Sequence, residues 1–202
     1  MNTTTTVTHL SIAKYVLLIH PRKDLGEKIN QLKLNFCKKY KMPERITRMP
    51  SITLVSFTQY IGFEERIKNK LRSLSISQAP FPIEMQDYGS LPSHTIYINI
   101  LSRPAIQSLA KLIRAETQQF MKLDNDHKPY FMMDPVIPIA QRLKPWQYEQ
   151  AWLEYSHRSF QGKFIANNML LLSKKTDEEK YKWVECFEFQ DIPILPKQAV
   201  LF

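Results

Sequence analysis

The sequence predicts an α+β protein built as two pseudo-symmetric α/β lobes that face each other across a central groove. Three observations carry this prediction. Segments with strand-like and helix-like hydrophobic periodicity follow one another along the 202 residues. Their order repeats, and each repeat contains one short strand opened by a proline.

The first strand is "KYVLLIHP", a short apolar run ending at Pro21. From Lys23 to Tyr40 the apolar residues Leu25, Ile29, Leu32, Phe36 and Tyr40 recur at spacings of three and four, the stripe of a helix. Asp24 lies in its first turn, where a carboxylate suits the positive end of the helix dipole. "RMPSITLVSF" is a strand rich in β-branched residues, and Phe63, Ile67, Leu71 and Leu74 mark a second helical stripe. "FPIEMQDY" and "HTIYINIL" alternate as strands. In the latter, Ile96, Ile98 and Ile100 share one face and Thr95, Tyr97 and Asn99 the other. A helix follows with Ser102 as N-cap and Pro104 in its first turn. "LDNDHKPYFMM" reads as a polar loop and "PVIPIAQRL" as a strand, which Pro138 assigns to a sheet edge or a bulge. "KPWQYEQAWLEYSH" is a helix packing through Trp146, Ala151, Leu153 and Tyr155. "FIANNMLLLSK" and "YKWVECFEF" close the chain as two strands joined by the charged turn "KTDEEK".

The repeat is specific. The first strand starts near Tyr15, 35 residues before Pro50, and its counterpart near Ile96, 39 residues before Pro135. The proline-led strands "PSITLV" and "PVIPIA" then flank the groove. Side chains two apart on a strand point the same way, so Ser51 and Thr53 share a face, as do Val136 and Pro138. The expected organisation is a loose N-terminal tail over residues 1–11, one bilobal domain over 12–190 and a C-terminal tail over 191–202.

Composition narrows the function. With four glycines and no GxGxxG or GxxxxGK pattern, a glycine-rich phosphate loop is not expected. Cys37 and Cys186 have no metal spacing and fit free thiols in a reducing compartment. No apolar run is long enough to span a membrane, so a soluble cytoplasmic protein is expected. The net charge of +9 is concentrated: Arg22 to Arg48 holds nine basic residues and three acidic ones, a local excess of +6. Such a patch attracts polyanions, RNA or a nucleotide phosphate first among them, or else is a solvated helix face.

The element order, the duplication and the two "P-x-I-x" strands resemble the two-histidine (2H) phosphoesterase superfamily, which includes the 2′-5′ RNA ligase and cyclic phosphodiesterase families. The resemblance covers about Tyr15 to Phe189 and implies antiparallel sheets around the groove. It also implies a mechanism. Each lobe supplies a "P-H-I-T"-like strand. One imidazole takes a proton from the nucleophile, the other protonates the leaving oxygen, and the hydroxyl two residues on donates to the phosphate. Here the first copy is Pro50, Ser51, Ile52, Thr53, Leu54 and the second Pro135, Val136, Ile137, Pro138, Ile139, Ala140. Ser51 and Val136 stand where the resemblance puts histidines, and Pro138 where it puts the second hydroxyl. The resemblance thus implies a degenerate motif and a catalytically inactive or impaired protein that binds RNA ends or a nucleotide phosphate.

Two alternatives stay open. One is an active phosphodiesterase or ligase in which His20 or His127 substitutes as the acid/base group. The other is a scaffold whose groove is filled by its own side chains, Val136 and Pro138 among them. The candidate ligand-binding residues are Thr53, Ser51, Arg48, Arg142, Tyr97 and Asn99, with Arg142 sharing the parity of Val136 if the strand stays regular. Tyr15 and Phe57 are candidates to stack a base, with Phe57 fitting the core better. No metal ligand set and no cofactor motif is present in the sequence, and "DND" at 124–126 lacks the rest of a calcium loop.

Overall fold

The computed structural model describes residues 11–43 and 49–192. Nine strands and four helices are described. In order they are β1 (Ile12–Ile19), α1 (Lys23–Lys39), β2 (Ile52–Tyr60), α2 (Glu64–Ser77), β3 (Phe81–Leu91), β4 (Thr95–Ile100), α3 (Arg103–Met121), β5 (Tyr130–Phe131), β6 (Val136–Gln141), α4 (Pro145–Tyr155), β7 (Gln161–Ala166), β8 (Asn168–Lys175) and β9 (Lys182–Glu188). The strands form two sheets, ordered β5-β2-β1-β8-β9 and β6-β4-β3-β7. Every pairing is antiparallel. The predicted α+β class with two antiparallel sheets is therefore the fold observed.

The duplication is visible in the register. β2 pairs with β1 as β6 pairs with β4, and both pairs carry a bulge at the matching place. Leu17 faces Val55 and Leu18 faces Thr53, which leaves Leu54 unpaired. Ile96 faces Ala140 and Tyr97 faces Pro138, which leaves Ile139 unpaired. Each unpaired residue is the fourth after the proline that opens its motif. β6 is an edge strand, as Pro138 requires, since a residue without an N–H cannot serve a central ladder.

Each lobe is covered by helices from both halves of the chain. α1 joins two strands of the five-stranded sheet but packs on the other one. Its Phe36 meets Tyr155 of α4 at 5.2 Å between ring centroids, Lys28 lies over the Phe160 ring, and Leu25 reaches Gly162 of β7. In return α3, which joins β4 to β6, packs on β2, β5 and α2. Arg66 of α2 stacks on Phe120 of α3 at 4.1 Å, and Lys70 of α2 pairs with Glu116 of α3. Two buried glutamines fix the exchanged helices at their C-terminal ends, where carbonyls lack partners within the helix. Gln59 Nε2 donates to the carbonyls of Phe120 and Lys122. Gln147 Nε2 donates to the carbonyl of Tyr40.

Several local expectations are corrected. The stripe of α2 starts at Ile67, because Phe63 ends a 3-10 turn and is 40% exposed. Ser102 precedes α3, but its hydroxyl accepts the Glu84 N–H instead of capping the helix. Trp146 and Leu153 of α4 are exposed; the face at spacing four, Gln147, Ala151 and Tyr155, is the buried one. "LDNDHKPYFMM" contains the short strand β5. "FIANNMLLLSK" is two strands, with Asn167 carrying the chain from one sheet into the other.

A second tie joins α1 to α4. Glu154 Oε2 accepts from Lys39 Nζ and from the Tyr40 hydroxyl, both at 2.5 Å, and Arg158 pairs with the other oxygen. The bond from Lys39, then that from Tyr40, holds the Glu154 carboxyl below its ordinary range. A lowered folded-state pKa stabilises the fold above the unfolded glutamate pKa, and that stability disappears as pH falls through the folded value. Replacing Glu154 by Gln is thus expected to flatten the acid limb of a urea-midpoint-versus-pH curve while leaving its neutral region less changed. Truncation of either buried glutamine, Gln59→Ala or Gln147→Ala, is expected to lower the unfolding free energy by about 1–3 kcal/mol, through the unpaired carbonyls left behind. Equilibrium urea unfolding measures both.

Candidate functional site

The bulge in β2 determines what its two faces carry. Ile52, Leu54, Val55, Phe57 and Gln59 are buried on the side of α3, and Ser51, Thr53, Ser56, Thr58 and Tyr60 are half-buried on the other. An extra residue at the bulge shifts the alternation by one. The helix-free face of β2 is consequently lined by hydroxyls along its whole length. Beside it on β1 lie Leu18, opposite Thr53, and Lys14, opposite Thr58.

On the other sheet, Val136 lies opposite Asn99 and Pro138 opposite Tyr97, so these four residues share one face. All four are half-buried. Gly89 of β3 lies opposite Tyr97. A Cβ at Gly89 would come within 2.4 Å of the Tyr97 ring and 2.7 Å of Asn99 Oδ1, so the missing side chain is what lets the ring lie flat there. The two motif strands are close. Met132 N donates to the Leu54 carbonyl at 2.9 Å, and Val136 is four residues farther on, a reach of at most about 14 Å of chain.

His20 stands beside the first motif. Ile19 pairs with Ile52, so the antiparallel register sets His20 opposite Ser51. Its Nδ1–H donates to the Pro50 carbonyl at 3.0 Å. That bond fixes the tautomer and leaves Nε2 as an acceptor when the ring is neutral. By the pseudo-symmetry, His20 next to Ser51 corresponds to Asn99 next to Val136. His127 lies elsewhere, exposed in the 122–129 loop, with Nδ1 at 2.9 Å from both Asp124 oxygens. His94 and His157 are also exposed. Neither the Ser51 nor the Thr53 hydroxyl is hydrogen-bonded to another described residue, which leaves both available to a ligand.

The remaining sequence-predicted residues are placed as follows. Arg48 lies outside the described residues. Arg142 is exposed past the end of β6 with a left-handed backbone, φ 56°. The bulge at Ile139 inverts the parity on which its candidacy rested, and Gln141, opposite Thr95, takes that face. Tyr15 and Phe57 are buried and stacked on each other at 5.0 Å. The Tyr15 hydroxyl donates to Glu64, and burial, then the Glu64 charge, raise its pKa; neither ring is free to stack a base. The basic helix α1 is in part engaged: Lys33 is buried and Lys39 holds Glu154. Burial pushes the Cys186 thiol up to about 11, so it is not a thiolate at neutral pH. Among the described residues no cluster of His, Cys, Asp and Glu could hold a metal ion, and no helix is long and apolar enough to cross a membrane.

Sequence reasoning missed Ser56 and Thr58, Gly89, and the exposed Tyr130, which pairs with Ser56. A signal for the first two was present. The hydroxyls at 51 and 53 continue at 56 and 58, a parity change that marks a bulge.

Two antiparallel sheets with exchanged helices and a pair of equivalent bulged strands define a duplicated α+β protein. A family model described as the 2'-5' RNA ligase superfamily matches residues 21–178, and the chain belongs to that family. E. coli LigT complexed with NADP+ is similar at 13% identity and a TM-score of 0.56, over 89% of this chain and 99% of that one. The protein TT0787 of Thermus thermophilus is similar at 13% identity and 0.58, over 88% and 98%. E. coli LigT complexed with 3'-AMP gives 12% and 0.53, over 89% and 98%. No curated protein matches the sequence.

Gly89→Ala is expected to force the Tyr97 ring off its seat and to cost about 1–3 kcal/mol as an overpacked contact. The loss should be largely relieved in the double variant Gly89→Ala with Tyr97→Ala, as read by thermal unfolding.

Proposed function

We propose that this chain is a family member that retains the groove and its phosphate-binding hydroxyls but has lost the paired imidazoles, and that it binds an RNA end or a nucleotide phosphate without efficient turnover. The observation that supports this most is the matched placement of Ser51 with Thr53 and Val136 with Pro138. Each pair stands just before one of the two equivalent bulges, half-exposed, with no imidazole in either. Serine is no base near neutral pH without a partner, and valine and proline have no proton to transfer. Each missing acid/base group costs about 10²–10⁴-fold in rate. Thr53 and Ser51 remain free to donate to a phosphate oxygen. That one solved structure of E. coli LigT is complexed with phosphate and another with 3'-AMP is consistent with an anion in such a groove. Because Thr53 is half-buried and not sealed from solvent, the filled-groove scaffold is the weaker reading.

His20 supports a second reading. With Nδ1–H held by the Pro50 carbonyl, Nε2 is the acceptor of the neutral ring, so a single imidazole would serve as base in a slow cyclic phosphodiesterase.

The test is a short RNA ending in a 2′,3′-cyclic phosphate, titrated at low and high salt and then analysed for its end. The expected result is binding that weakens with salt, weakens further in Thr53→Val, and leaves the RNA end intact. Turnover that is lost in His20→Ala would establish the second reading. Absence of both binding and turnover would reject both.

A further inference from the structure

At the outer edge of the five-stranded sheet, between the C-terminal half of α3 and the segment that forms β5, lies a cavity of about 430 Å³. Arg114, Gln118, Lys122, Lys128, Tyr130 and Phe131 line it, and no carboxylate does. The Phe131 ring, opposite Val55, faces α3, with the Arg114 guanidinium 6.0 Å from its centroid. Tyr130, opposite Ser56 at the sheet edge, lines the same cavity and is 61% exposed. Lys122 contacts Asn125 through an uncharged oxygen, and Lys128 is exposed with no acidic partner among the described residues. Uncompensated cations around an exposed aromatic ring are the elements that hold single-stranded nucleic acid: phosphates on the cations, a base on the ring. The volume is within the range of small-ligand pockets.

We propose that this cavity is a second site, which binds a nucleotide in the body of a single-stranded RNA, with Tyr130 stacking its base and Lys122, Lys128 and Arg114 contacting the phosphates. The site reads a strand irrespective of its end chemistry. It rests on RNA being the ligand and not on what happens in the groove.

The experiment uses fluorescence anisotropy with a single-stranded RNA of about 12 nucleotides ending in a 3′-hydroxyl, and calorimetry with uridine 2′,3′-cyclic phosphate. The proteins are wild type, Tyr130→Ala, Tyr130→Phe, Lys128→Ala and Thr53→Val. Tyr130→Ala and Lys128→Ala are expected to weaken the RNA complex by about five- to tenfold, with Tyr130→Phe close to wild type. Lys128→Ala should also make the log–log salt dependence shallower by about 0.7. Neither variant should change the cyclic mononucleotide affinity, which Thr53→Val should lower. Because Tyr130 and Lys128 are exposed and Thr53→Val keeps the side-chain shape, unchanged melting curves will confirm the fold. RNA affinity within about twofold of wild type in both variants, or no RNA binding by wild type, overturns the proposal. So does binding to phosphatidylserine vesicles that Tyr130→Ala abolishes while RNA binding is unaffected. If the mononucleotide fails to bind while the RNA binds and responds to Tyr130→Ala, the groove reading fails and the second site stands.

Discussion

The constraint on which the structure depends is the exchange of helices between its two sheets. A helix joining two neighbouring antiparallel strands has the choice of covering its own sheet or another. Here α1 covers the sheet of β6 and α3 covers that of β2. Each sheet buries part of its apolar face under a helix supplied from the other half of the chain, which couples the two lobes. Gln59 and Gln147 enforce the arrangement chemically. Each satisfies carbonyls at the end of an exchanged helix, in a place where water cannot.

Because the helices take one face of each sheet, the other faces carry no helix. The bulges decide what those faces present. On β2 the extra residue at Leu54 keeps all the apolar side chains on the helix side and sends a row of hydroxyls to the other. On β6 the equivalent bulge leaves Val136 and Pro138 on the free face. The two walls have thus diverged from one geometric template. One is polar and able to donate to an anion, and the other is apolar with Tyr97 and Asn99 beside it.

The basic character of the chain is divided in a similar way. Part of the positive charge on α1 is structural, because Lys39 and Tyr40 hold Glu154 and Lys33 is buried. The cations at the cavity by Tyr130 have no acidic partner among the described residues. Net charge alone would assign the strongest attraction for polyanions to α1, whereas the structure gives a better arrangement of free cations and aromatic surface to α3 and β5.

Much of the fold was legible in the sequence because it depends on periodicity. The stripe of Ile29 and Phe36, the alternation of Ile96, Ile98 and Ile100, and Pro138 at a sheet edge are local patterns with one physical solution each. The duplicated proline-led strands located the motif positions for the same reason. What local pattern could not decide is which partner a buried face meets. α1 has the same stripe whether it covers one sheet or the other. "FIANNMLLLSK" has the same composition whether it is one strand or two, and Tyr15 reads equally as a base-stacking ring or as the buried partner of Phe57. Arg142 shows the limit most sharply, since one extra residue at Ile139 changed the face to which its position belonged. The sequence by itself determined the elements, their repetition and the residues at the motif positions. Tertiary structure alone decided the exchange of helices and the pairing of His20 with the first motif, because these depend on contacts between residues far apart in the chain.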